Sequence, residues 1–135
     1  MRTTMTAYPF TLLILLLLVV LQVWMMGRVA QQRGRSGIKA PAMTGDPALE
    51  RAIRVHMNTL EQLGLFLPAL LVCAVYMGDL PSAAVGLVWL IGRVWYAIGY
   101  QQAAAKREWG FGVTFLALAA AWLMGAYGLV MAMLR

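Results

Sequence analysis

The chain has 135 residues, enough for one domain, of which 62% are hydrophobic and only 12% charged. A small soluble domain needs more polar surface than this, a disulfide scaffold needs more than the single Cys73, and disorder is incompatible with so apolar a chain. Eleven Lys and Arg against five Asp and Glu give a formal charge of +6, which on this background reads as membrane topology before nucleic-acid binding.

The first apolar run is Tyr8 to Met26, with Thr11 and Gln22 as its polar interruptions. A bilayer core needs ~20 helical residues. The run is too long for a signal-peptide core and no small-residue cleavage site follows, so it predicts a first span over 8–28. Arg28 to Thr44 is polar and punctuated by Gly34, Gly37 and Pro41, which predicts a loop. Asp46 and Pro47 then read as N-cap and first residue of a helix, with Glu50 in its first turn. That helix is expected over 47–77, with a kink at Pro68 that a membrane helix tolerates. The turn Gly78-Asp79-Leu80-Pro81 leads to a third span over 80–102. Gln101 to Trp109 forms a polar connection, and a fourth span over 109–134 carries no charge before Arg135. The expectation is an all-α, four-transmembrane-helix bundle forming a single domain over 1–135.

Eight of the eleven basic residues, Arg28, Arg33, Arg35, Lys39, Arg51, Arg54, Lys106 and Arg107, fall in the first and third connections or at the polar start of helix two. Arg2 and Arg135 lie on the other side, and Arg93 lies within span three. The positive-inside rule predicts cytoplasmic connections and both termini outside.

Ionisable groups within spans are costly and therefore point to function. Arg51, Arg54, Asn58 and Glu61 are spaced i, i+3, i+7, i+10 and share one helical stripe. Arg93, Tyr96 and Tyr100 form a second stripe on helix three, and both approach the cytoplasmic side. A buried Glu61–Arg93 salt bridge that only fixes packing is one reading of the pair. It leaves Arg51, Arg54, Asn58 and the two tyrosines unexplained, whereas a cationic cluster suits an anionic polar ligand entering from the cytoplasm. His56 points off the stripe and reads as interfacial. Cys73 sits in an apolar stretch and reads as packing. No spacing suggests a metal site, a phosphate loop or a Ser/His/Asp arrangement.

The segment Glu50-Arg51-Ala52-Ile53-Arg54-Val55-His56-Met57-Asn58-Thr59-Leu60-Glu61, followed by Leu65-Phe66-Leu67-Pro68, resembles the E-R-x-x-R-x-x-x-N-x-x-E signature of the MAPEG family, membrane-associated proteins in eicosanoid and glutathione metabolism. Gly92-Arg93-Val94-Trp95-Tyr96-Ala97-Ile98-Gly99-Tyr100 is similar to the family's R-x-x-Y-x-x-x-Y segment, and the Thr44-Gly45 approach to Pro47 also fits. The resemblance covers essentially the whole chain. It implies a homotrimer of four-helix subunits, with glutathione bound as co-substrate between neighbouring subunits near the cytosolic face, no metal, and a lipophilic small molecule arriving from the membrane lipid. By position it assigns Arg51, Arg54, Asn58 and Glu61 to glutathione, Glu61 taking its amino group, with Arg93, Tyr96 and Tyr100 on the adjacent helix face, of the same or of another subunit. Arg107 corresponds best to the arginine that stabilises the thiolate, with Lys106 beside it, and Arg28 to a further arginine at the cytosolic end.

A thiol of pKa ~8.5 is mostly protonated at neutral pH, and a nearby guanidinium favours the reactive thiolate. Attack on a lipophilic electrophile, or reduction of a lipid hydroperoxide, would follow at the interface. Met57 stands where prostaglandin-synthase-like members carry another Arg before the Asn, which weakens an eicosanoid-isomerase assignment. The chain resembles the bacterial glutathione-transferase-like branch, implying a bacterial cell membrane and no nucleic-acid partner. Two competing readings are a non-catalytic lipid-binding relative and a small proton-coupled drug transporter. The first has no need of the glutathione residues, and in the second the arginines would keep Glu61 ionised and repel cations.

Overall fold

The computed structural model describes residues 7–135; Arg2, counted above on the far side, lies outside them. Four helices follow in order: α1 (Pro9–Ser36), α2 (Pro47–Met77), α3 (Asp79–Gln102) and α4 (Glu108–Met133), with a 3₁₀ turn over Ala104–Arg107 leading into α4. All four are long and apolar enough to cross a membrane. The chain is an all-helical, integral membrane four-helix bundle.

The starts of α1 and α2 each have an identifiable physical cause. Pro9 presets the first turn of α1, and the free N–H groups there are met from α3. The Asp79 carboxylate accepts from Phe10 N at 3.0 Å, Thr11 N at 2.7 Å and Thr11 Oγ1 at 2.8 Å. At α2 the expected cap is present: Asp46 Oδ1 accepts from Leu49 N at 2.8 Å, and Glu50 accepts from Gly45 N at 3.0 Å. The helix runs on through Pro68 to Met77.

Two boundaries differ from the sequence expectation. The stretch from Arg28 was expected to be loop, but α1 continues to Ser36, and the connection is only 37–46. Loss of apolar residues marks where a helix leaves lipid, and says nothing against its continuing into water. Ala30, Gln31, Gln32, Arg33 and Arg35 are adequate helix formers, and a lone Gly34 costs only ~1 kcal/mol. The stop is Gly37, whose φ of 72° is left-handed and whose N–H returns to Arg33 O. Arg33 then pins the connection by donating to Ala42 O at 2.7 Å. At the other end of the bundle, the expected four-residue turn shrinks to Gly78, because Asp79, Leu80 and Pro81 fit within the first turn of α3.

The interior is a continuous apolar cluster from α1 through α4. Phe66 and Trp89 stack at 4.7 Å in its middle, and Trp89 Nε1 donates to Gln62 Oε1 at 2.8 Å. With lipid outside, helices gain little from apolar burial alone and rely on close approach. α4 packs tightly on α3 at Gly110, where an added Cβ would run into the Tyr96 backbone. That contact carries Tyr96 against the start of α4 and positions the site.

Candidate functional site

A cavity of about 640 Å³ opens between α2, α3 and the start of α4, at the end of the bundle that holds most of the basic residues. Its polar wall is built from Asn58, Glu61 and Gln62 of α2, Arg93 and Tyr96 of α3, and Arg107 with Glu108 at the entry to α4. Leu65, Phe111, Phe115 and Leu118 form the apolar remainder. Such a volume lies in the ordinary range for small-molecule sites, roughly 300–1,000 Å³.

The polar wall is cross-braced. Asn58 Nδ2 donates to the Tyr96 hydroxyl at 2.8 Å, tying the two helical stripes within one chain. Arg93 is 1% exposed; its Nε donates to Thr59 Oγ1 at 2.7 Å, and Thr59 in turn donates to Val55 O. The Arg93 guanidinium carbon lies 3.9 Å from the Tyr96 ring centroid, a close cation–π contact. Among the described residues its buried Nη1 has no partner. The Glu61–Arg93 packing bridge is therefore not what holds Arg93. Thr59 and Tyr96 hold it, while Glu61 is exposed on the cavity wall.

Arg107 Nη1 donates to the Tyr100 hydroxyl at 3.3 Å, and its guanidinium carbon stands 5.2 Å from the Tyr100 ring. Tyr100 is tilted against Tyr96 at 5.7 Å, so it supports the wall from behind Arg107. Of the two neighbouring basic residues, Arg107 lines the cavity, while Lys106 donates outward to Gln102 at 3.2 Å.

The remaining arginines lie elsewhere. Arg28 Nε donates to Gln101 Oε1 at 2.8 Å and Arg51 Nε to Gln101 O at 3.3 Å. They converge on the last turn of α3, outside the cavity wall. Arg54 is exposed, one turn before Asn58 on the same helix. The structure thus gathers Asn58, Glu61, Arg93, Tyr96 and Arg107 in the cavity, sets Tyr100 behind them, and leaves Arg28, Arg51 and Arg54 nearer the basic rim. Thr59, Gln62, Gln101 and Glu108 went unnoticed in the sequence reading. Gln62 directly follows Glu61 and Glu108 directly follows Arg107, so adjacency to a charged position was the available signal for these two, while Thr59 and Gln101 follow the uncharged stripe residues Asn58 and Tyr100. Among the described residues no three His, Cys, Asp or Glu side chains gather as metal ligands.

The class these features define is an integral membrane protein with a polar, arginine-bearing cavity that has an apolar flank and lies between its membrane-spanning helices. The MAPEG family model matches residues 11–127, and the chain belongs to the MAPEG family. An uncharacterized protein of Synechocystis is 49% identical over 83 residues, an alignment spanning 62% of this chain and 61% of the relative. Human microsomal glutathione S-transferase 2 is 34% identical over 102 residues, 76% of this chain and 69% of its own. Leukotriene C4 synthase of Cavia porcellus is 37% identical over 92 residues, 68% and 61% respectively.

Proposed function

We propose that this protein is a glutathione-dependent membrane enzyme that transfers glutathione to lipophilic electrophiles or reduces lipid hydroperoxides. The observation that carries the reading is the cavity itself, which brings Asn58, Glu61, Arg93, Tyr96 and Arg107 from three segments of the chain together with an apolar lining of Leu65, Phe111, Phe115 and Leu118. The name of the human relative, a microsomal glutathione S-transferase, agrees with it.

The residues present fit a tripeptide with two carboxylates, an ammonium and a thiol. Arg93 is a buried cation without an acid partner among the described residues, and its free Nη1 suits a carboxylate oxygen. Glu61, exposed on the wall, suits the ammonium. Arg54 and Arg51 lie one and two turns further toward the basic rim and extend the attraction for carboxylates outward. Arg28 belongs to the same rim through Gln101.

Bound glutathione supplies a sulfur nucleophile. Arg107 favours the thiolate over the thiol by placing a permanent positive charge beside it. Tyr100 limits the motion of Arg107 by accepting from its Nη1. Asn58 and Tyr96 keep α2 and α3 in register around the ligand. The apolar wall of Leu65, Phe111, Phe115 and Leu118 admits a substrate that has partitioned into the bilayer and keeps water from it.

Assembly as a homotrimer, with the basic rim in the cytoplasm of a bacterial cell and the termini outside, completes the proposal. The positive-inside count supports the orientation, and the abundance of exposed apolar residues supports burial against lipid or sister subunits. The deciding experiment is calorimetric titration of the purified protein in detergent with glutathione. Saturable binding that is lost on adding a polar-wall substitution such as Asn58→Ala supports the reading, and absence of binding ends it.

A further inference from the structure

Glu108 has no task in the function proposed above, yet it lines the cavity next to Arg107. The charged groups on the wall are two arginines, Arg93 and Arg107, and two glutamates, Glu61 and Glu108. If glutathione occupies the site as proposed, Arg107 serves its sulfur, Arg93 a carboxylate and Glu61 the ammonium. The one wall charge left to face an incoming second substrate is then negative.

The apolar route offers no cation either. The α2–α4 side of the cavity shares Leu65 with a second cavity of about 450 Å³, reaching past Pro68 and Val72 to Trp122 and Leu129, and none of its lining residues is charged. A carboxylate carried by the electrophile would therefore meet Glu108 at the reacting end, or hydrocarbon-like side chains along the tail. Both are unfavourable.

We propose that Glu108 makes the second-substrate site select uncharged lipophilic electrophiles, such as neutral epoxides or enones, over carboxylate-bearing fatty-acid electrophiles. The inference rests on the glutathione reading and names the substrate class of that same site. For an epoxide the step balances without a further reactant. The sulfur electron pair forms the C–S bond, the strained C–O bond breaks, and the oxygen that receives its electron pair takes up the proton lost by the thiol.

The test uses the full-length protein in detergent with glutathione and a matched pair of substrates, a long-chain epoxy fatty acid and its methyl ester. Wild type should favour the ester in kcat/KM by about fivefold or more, the scale of one partly screened like-charge contact. Glu108→Gln should narrow that ratio by raising kcat/KM for the acid, and Glu108→Lys should narrow it further or invert it. Comparing ratios between variants cancels the different partitioning of acid and ester into micelles. Equal or better use of the acid by wild type, or a ratio unmoved in both variants, overturns the inference while leaving the glutathione reading intact. Failure to convert either substrate, together with no glutathione binding, removes both.

Discussion

Replacing Gly110 by alanine tests whether the fold and the site share one contact. The new methyl would stand 2.2 Å from Tyr96 N, 2.5 Å from its Cα and 2.8 Å from its Cβ. Ordinary carbon contacts lie at about 3.5–4.0 Å, so the start of α4 must retreat from α3 by ~1 Å or more. Backbone cannot give way as a flexible side-chain tip does, and overpacking of this kind costs about 1–3 kcal/mol. The displacement falls on Tyr96, whose hydroxyl accepts from Asn58 and whose ring lies against Arg93. It falls also on the Arg107 side of the cavity, three residues from Gly110. Gly110→Ala should therefore lower the thermal midpoint in detergent and weaken glutathione binding together. Gly112, where an added Cβ meets nothing within 4 Å, supplies the control: Gly112→Ala should change neither. Differential scanning fluorimetry and calorimetry read the two effects. A Gly110→Ala protein with wild-type midpoint and affinity would show that the α3–α4 contact does not set the site.

Arg107→Ala should reduce conjugation of a generic aromatic electrophile by about 10²–10³-fold, the range for losing one preorganised charge-stabilising group, with little change in glutathione affinity by calorimetry. In the same variant the pH at which bound thiol becomes thiolate, followed by ultraviolet absorbance, should rise, since the positive charge that favoured the anion is gone. Tyr96→Phe removes the acceptor of Asn58 Nδ2 and should weaken glutathione binding by about fivefold, the worth of one ordinary hydrogen bond. Asp79→Ala strips three hydrogen bonds from the first turn of α1 and should lower the thermal midpoint by several degrees without changing turnover at permissive temperature.

The four helices were legible because lipid demands long apolar runs, and Asp46-Pro47 was legible because a cap is a local device. The extension of α1 to Ser36 was not, since hydropathy records the bilayer edge and a helix may outlast it. Nor was Asp79 as the cap of α1: that pairing joins residues 68 apart in sequence, and only the packed bundle creates it. At the site, i, i+3, i+7 spacing correctly put Asn58 and Glu61 on one face. Periodicity cannot tell how far down a face the cavity extends, so Arg51 shared a stripe with Asn58 yet pairs with Gln101 instead. Arg93 illustrates the opposite limit. Charge complementarity suggested Glu61 as its partner, while the structure supplies a hydroxyl and an aromatic ring, partners that carry no charge signature.

The two ends of the bundle resolve their polar groups differently. Where α1 and α3 begin, Asp79, Thr11 and Ser82 satisfy one another in a compact network, with Thr11 Oγ1 and Ser82 Oγ 2.7 Å apart. Toward the basic end, four buried polar atoms on Gln22, Arg93 and Gln101 have no partner among the described residues. α1 and α3 run parallel, Ile14 meeting Gly86 and Arg28 meeting Gln101, so Gln22 lies at about the depth of Arg93. A bundle selected only for stability would replace such groups by apolar ones, because each unsatisfied donor or acceptor costs about 1–3 kcal/mol. Of the three residues only Arg93 lines the cavity, so under the proposed function its unpartnered guanidinium nitrogen is where the fold gives up stability for ligand chemistry.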